Sequence, residues 1–208
     1  MIYIFDMDGT LVDSNDIIHE GIGPYFEEHG IKYTVEVQQK TVACGYLGTA
    51  IFMANEFGVK KDPQIICNEL KAITTKAYED RVPAKPYAVD LIKRLKKEGH
   101  RLFILSASPH TMIAPCLKRL GIFDCFEKIW STEDFRLDKK DDELFISVAN
   151  ELKVSPSDCT IVEDSVVPVV TAKRVGMKVI SVYDKHAEPF REKMKEISDR
   201  YLNDLSEF

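Results

Sequence analysis

Short apolar runs alternate with amphipathic segments along most of the chain. Ile2–Phe5, Arg101–Leu105, Glu127–Trp130, Thr160–Val162 and Lys178–Val182 are each compact enough for a buried strand. The stretches between them carry helical spacing. Pro86 precedes Tyr87–Glu98, where Leu91, Ile92 and Leu95 recur on one face and Gly99 closes the segment. Pro109–Leu120 repeats that arrangement and ends at Gly121. Asp141, Asp142 and Glu143 put negative charge at the first turn of a helix whose face is Leu144, Phe145, Val148 and Leu152. Val166–Val175 ends at Gly176. Strands separated by helices in this way predict βαβ units and a parallel sheet, an α/β fold.

Residues 15–82 break the rhythm. They read as helices without a convincing strand, Asp16–His29 and Pro63–Tyr78 most clearly. A helical stretch between the first and second strands predicts an inserted helical domain at 15–82, with 1–14 and 83–208 forming the α/β core. The tail reads as a charged helix around Glu188–Ile197 and a short apolar end at Tyr201–Leu205.

Composition narrows the class. The 208 residues are 45% hydrophobic and 30% charged, ordinary for a globular protein with a substantial core. Net charge is −6 without a basic block, which argues against a nucleic-acid partner. Cys44, Cys67, Cys116, Cys125 and Cys159 are odd in number and never form a CxxC pair. That argues against a disulfide framework or a cysteine zinc site and for a reducing compartment. Met1 runs straight into a strand-like stretch rather than a signal peptide, and no apolar run reaches the roughly 18 residues that span a membrane. The expected location is the cytoplasm, with no membrane partner.

Candidate chemistry gathers at the strand ends. In Phe5-Asp6-Met7-Asp8-Gly9-Thr10 a strand delivers two carboxylates two residues apart, so both can point to the same side. They leave the sheet at the carboxyl end of strand one, where open α/β sheets bind ligands. One such acid can attack or bind metal while the other moves a proton. The plainer explanation is a strand ending in an Asp-Gly turn. Strand two ends in Ser106-Ala107-Ser108, whose hydroxyls can donate to a phosphoryl oxygen or cap the following helix. Strand four ends in Glu163-Asp164-Ser165. Two more acids beside Asp6 and Asp8 repel unless a hard divalent cation sits among them, and magnesium is the usual partner of phosphate. Leu137-Asp138-Lys139-Lys140-Asp141 can bring a lysine to the site, or leave both lysines solvated. Carboxylates, a hydroxyl and a cation are what phosphoryl transfer needs.

This combination resembles the haloacid dehalogenase-like hydrolase superfamily, in its phosphoglycolate phosphatase and β-phosphoglucomutase-like branch. DMDGT is similar to that family's first motif, Ser106 to the second, Lys139 to the third and Glu163-Asp164 to the fourth. IVEDSVVPVVTAKRVGMKVISV resembles its closing strand–helix–strand unit, and the likeness covers essentially the whole chain. The resemblance implies a Rossmann-like parallel sheet with helices on both faces and an inserted α-helical cap. It implies a phosphatase of a small phosphorylated metabolite that works through an aspartyl-phosphate. Asp6 would be the nucleophile and Asp8 the proton shuttle. Mg²⁺ would be held by Asp6, the Asp8 backbone carbonyl and Asp164, with Glu163 in support. Ser106 and Lys139 would hold the phosphoryl group. Ala107 stands where the family often has a polar substrate contact. A cap loop near Gly45-Tyr46-Leu47-Gly48 would touch substrate, unless it is an ordinary helix–helix turn.

The sequence departs from the family pattern at several points. Lys-Lys replaces the usual Lys-Pro; Lys139 is preferred because Phe145 then falls where the family's helix carries an aromatic, and Lys140 is the alternative. Pro168 replaces a helix glycine, which a first turn tolerates. A sugar-phosphate mutase of this family would carry a cap histidine where Ile18 stands, and His19 lies one residue late, about 100° around the helix. His19 reads more simply as a helix-surface residue, and His110 as a helix-start residue. A dehalogenase would not need Asp8. A non-enzymatic phosphate-sensing regulator shares the acids, hydroxyl and lysine but lacks an insertion after its first strand.

Overall fold

In the computed structural model, the backbone is described for residues 1–208 and the side chains for all but residues 35, 36 and 38–45. The strands are β1 (Ile2–Phe5), β2 (Arg101–Ser106), β3 (Lys128–Ser131), β4 (Cys159–Glu163), β5 (Lys178–Val182) and β6 (Arg200–Leu202). All pair in parallel in the order β3-β2-β1-β4-β5-β6. This is the doubly wound, Rossmann-type arrangement, whose strand order reverses at β1.

The reversal decides where the helices go. The chain steps outward from β1 to β2 and β3, then returns to β4 and steps the other way to β5 and β6. With right-handed crossovers, the helices of the two halves fall on opposite faces. On one face, Ile2, Ile4, Phe103, Leu105, Cys159, Ile161 and Val179 form a single apolar cluster with residues of α7 (Asp142–Leu152), α8 (Val166–Arg174) and α9 (Arg191–Ile197). The alternate residues Tyr3, Phe5, Leu102, Ile104 and Val162 are also buried, as are Leu91, Ile92 and Leu95 of α4 (Ala88–Lys97) and Met112, Ile113 and Leu117 of α5 (His110–Arg119). A sheet buried on both sides needs near-continuous apolar strands, which is why IYIF and LFIL carry no polar alternation.

The chain divides into two compact units, Met1–Asp13 with Pro83–Phe208, and Ser14–Val82. The second is built from α1 (Asn15–Glu28), α2 (Val35–Phe57) and α3 (Pro63–Asp80), around Phe26, Ala50, Met53, Ile66 and Leu70. The two segments of the first unit that flank this insertion pair with each other. Asp13 N donates to Pro83 O (3.0 Å), Val12 bridges Ala84, and Lys85 N donates to Leu11 O (2.9 Å). Among the described residues no helix is long and apolar enough to cross a membrane.

Several sequence expectations need correction. Gly45–Gly48 lie inside the continuous helix α2 rather than in a loop between helices. The true ends are set elsewhere: the Thr34 side chain accepts from Val37 N, and Gly58 closes the helix in the left-handed conformation. Gly45, expected to bind substrate, lies outside the residues whose surroundings are described. The tail adds a sixth strand, too short at Arg200–Leu202 to show a period. At their carboxyl ends β2 and β4 each run one residue past the apolar run, to Ser106 and Glu163. Tyr87 caps α4 at φ 66° rather than belonging to it.

Candidate active site at the carboxyl ends of the strands

The register builds the site. Asp6 N donates to Val162 O (2.9 Å), which extends the β1–β4 pairing and sets Asp6 level with Glu163. Asp6 has the parity of Ile2 and Ile4, and Glu163 that of Cys159 and Ile161. Both acids therefore share the face that receives α7. Lys139, in the turn before α7, lies between them. Its Nζ donates to Glu163 Oε2 at 2.8 Å and to Asp6 Oδ1. Lys139 is 9% exposed. Lys140 is exposed and pairs loosely with Asp138 at 3.8 Å.

Glu163 has a second task. Its Oε1 accepts the amides of Asp164 and Ser165, both at 3.1 Å, and so covers donors at the start of α8. Asp164 accepts from Thr10 Oγ1 at 2.8 Å. Gly9 makes that approach possible: it sits at φ +79°, and a Cβ there would stand 2.4 Å from Asp164 Oδ2.

Asp8 is half-buried and faces the end of β2. Ser108 Oγ donates to its Oδ2 at 2.7 Å, while Ser106 Oγ stands 3.4 Å from the same atom. Ser108 N donates to Ser106 Oγ at 3.0 Å. Ala107 is exposed. Thus Asp6, Asp8, Ser106, Lys139, Glu163 and Asp164 converge on one rim of the sheet. Thr10 and Ser108 join them without having been singled out as site residues. The nearest signals are their hydroxyls, inside DMDGT and two residues after Ser106.

The electrostatics are uneven. Asp6, Glu163 and Asp164 are buried, and each offers an oxygen within 4.8 Å of the others. Burial pushes the Asp6 carboxyl up to about 8, with Glu163 and Asp8 adding to the shift and Lys139 opposing it. Burial, then Glu163 and Asp6, raise Asp164 well above the carboxylate range. For Lys139 burial acts downward, but Asp6 and Glu163 outweigh it and hold the ammonium above its ordinary value. One lysine, bonded to two of three buried acids, leaves carboxyls that hold their protons above the ordinary range, in a donor set made wholly of hard oxygens. This donor set fits a divalent cation such as magnesium.

Other polar groups have partners of their own. Lys85 pairs with the buried Asp184, which also accepts from His186 N at 2.9 Å. His110 Nε2 meets Asp134 at 2.9 Å. His19 is partly buried rather than on the surface, and its Nδ1 lies 2.9 Å from the Tyr33 hydroxyl. Pro168 is buried in the first turn of α8.

A family model for haloacid dehalogenase-like hydrolases matches residues 3–182. The chain is 30% identical over 187 residues to YhcW of Bacillus subtilis (strain 168), a protein named as a candidate phosphatase, covering 88% of this chain and 83% of that one. It is 25% identical over 185 residues to hexitol phosphatase B of Escherichia coli (strain K12), covering 86% and 82%. The solved structure of YfnB from Bacillus subtilis, bound to magnesium, shares the fold at a TM-score of 0.76 and 18% identity, over 99% of this chain and 95% of that one. The chain therefore belongs to the haloacid dehalogenase-like hydrolase family, an enzyme among relatives named as phosphatases.

Proposed function

We propose that the protein is a magnesium-dependent phosphomonoester hydrolase of a small phosphorylated metabolite, working through an aspartyl-phosphate on Asp6. The observation that carries this reading is the setting of Asp6: a buried carboxylate at a strand end, between Lys139 and two further acids, with Asp8 two residues on.

Asp6 attacks phosphorus, and Asp8 gives its proton to the departing oxygen. Asp8 then takes a proton from the water that hydrolyses the aspartyl-phosphate. The Ser106 hydroxyl and the Lys139 ammonium hold the phosphoryl oxygens. Asp6, the Asp8 backbone carbonyl and Asp164 would hold magnesium, with Glu163 in support. When bound, it supplies positive charge to the phosphoryl group and relieves the repulsion among the acids. Residues 1–14 and 83–208 carry this chemistry, and the helical insertion 15–82 acts as a cap that selects substrate. The mutase alternative is weakened because Ile18 occupies its histidine position and the His19 ring is engaged with Tyr33.

The test is phosphate release from p-nitrophenyl phosphate with magnesium. The wild type turns over, and Asp6→Asn loses about a thousandfold or more in kcat, as loss of a nucleophile does. An inactive wild type, or an Asp6→Asn variant of full activity, overturns the proposal.

A further inference from the structure

Two hydroxyls reach toward one oxygen of Asp8, and their distances differ. Ser108 Oγ lies 2.7 Å from Oδ2, the ordinary length of an O–H···O bond, while Ser106 Oγ stands 3.4 Å away. The turn between the serines separates their tasks. Ser106 Oγ accepts the amide of Ser108, so one of its lone pairs is taken and its hydroxyl hydrogen points away from that amide. Ser106 is also fully buried, level with Ser131 of β3, whereas Ser108 is half-buried.

We infer that Ser108 is a positioning residue for proton transfer: its hydroxyl holds the Asp8 carboxyl by Oδ2, while the Ser106 hydroxyl serves the phosphoryl group. This rests on the phosphatase reading above. In the step concerned, an Asp6 oxygen forms a bond to phosphorus as the bond from phosphorus to the leaving oxygen breaks. The electron pair of the broken bond stays on the leaving oxygen, which takes the proton from Asp8. Losing the Ser108 hydroxyl leaves the acid present but poorly aimed.

The leaving group tests this. An alkoxide needs a proton to depart, and p-nitrophenolate does not. The quantity to measure is kcat/KM, which covers events through phosphoryl transfer and omits the later hydrolysis. Wild type, Ser108→Ala and Ser108→Thr are compared on p-nitrophenyl phosphate and on the alkyl phosphate that the wild type hydrolyses best from a panel. Ser108→Ala is expected to lose about 10- to 100-fold on the alkyl phosphate, the worth of a hydrogen bond to a charged group. On p-nitrophenyl phosphate it is expected to stay near wild type. Ser108→Thr keeps the hydroxyl and restores most of the alkyl rate. Equal losses on both substrates would mean that the hydroxyl serves binding or folding, and would overturn the inference, as would an unchanged alkyl rate. A wild type that hydrolyses neither substrate removes the phosphatase reading itself. An active wild type with an indifferent Ser108→Ala removes only the role of Ser108.

Discussion

The two compact units treat their paired polar groups in opposite ways. In the helical unit they answer one another. Tyr25 donates to Glu69 at 2.5 Å, Lys61 donates to both Glu69 oxygens at 2.7 and 2.6 Å, and the His19 ring meets the Tyr33 hydroxyl. At the sheet rim, three buried acids crowd one another, and one lysine bonds to two of them. The first arrangement ties helices together. The second sacrifices folding stability for a charge imbalance that a cation and a phosphoryl group can use.

The contrast can be broken most forcefully at the lysines. Lys139→Met should lower phosphatase kcat by about 100-fold or more, as removal of a preorganised charge does. Lys140→Met, one residue away but exposed, should leave kcat near wild type. Equal effects from the two would erase the distinction between them.

Metal removal gives the next effect. At about one hundred times its dissociation constant, magnesium should stabilise the protein by about 2.7 kcal/mol, read as a rise in Tm. Asp164→Asn should abolish that rise, and should itself melt higher than the wild type when both are metal-free, because a repelling acid is gone. The pH dependence has a definite sign. The folded Asp6 carboxyl titrates near 8, above its unfolded value of about 4. Its contribution to metal-free stability is therefore full below about pH 4 and is lost as pH rises through 8. Because magnesium competes with that proton, its stabilisation should be larger at pH 8 than at pH 6. The reverse trend would show that the cation does not bind beside Asp6.

The smallest effect belongs to the helical unit. Tyr25→Phe removes the hydroxyl that donates to Glu69 and should cost about 1 kcal/mol in urea unfolding. Turnover of p-nitrophenyl phosphate should not change. A large loss of activity would mean that the two units are less separate in their tasks than this contrast holds.

Legibility followed the same division. Asp6, Ser106 and Glu163 could be read because each closes an apolar strand, and a parallel register brings strand ends together whatever the loops do. The residues alone leave Lys139 and Lys140 open; the preference for Lys139 comes from the family resemblance, through the place of Phe145 in the helix that follows. Thr10 and Ser108 escaped as site residues because loop hydroxyls obey no period; only the close approach permitted by Gly9 and the turn at Ala107 give them partners. The misreading of Gly45–Gly48 has a related cause. Glycine is a weak helix breaker, and a long helix with good caps tolerates it.

One feature of the fold reaches beyond the chemistry. The chain leaves the α/β unit after Asp13 and re-enters at Pro83, and the two crossings are stitched side by side through Leu11, Val12 and Asp13. An insertion whose ends already meet adds little closure entropy when it lengthens, about 0.6 kcal/mol for each doubling. The crossing therefore works as a socket. A lineage can exchange what is inserted there without disturbing a single rung of the sheet.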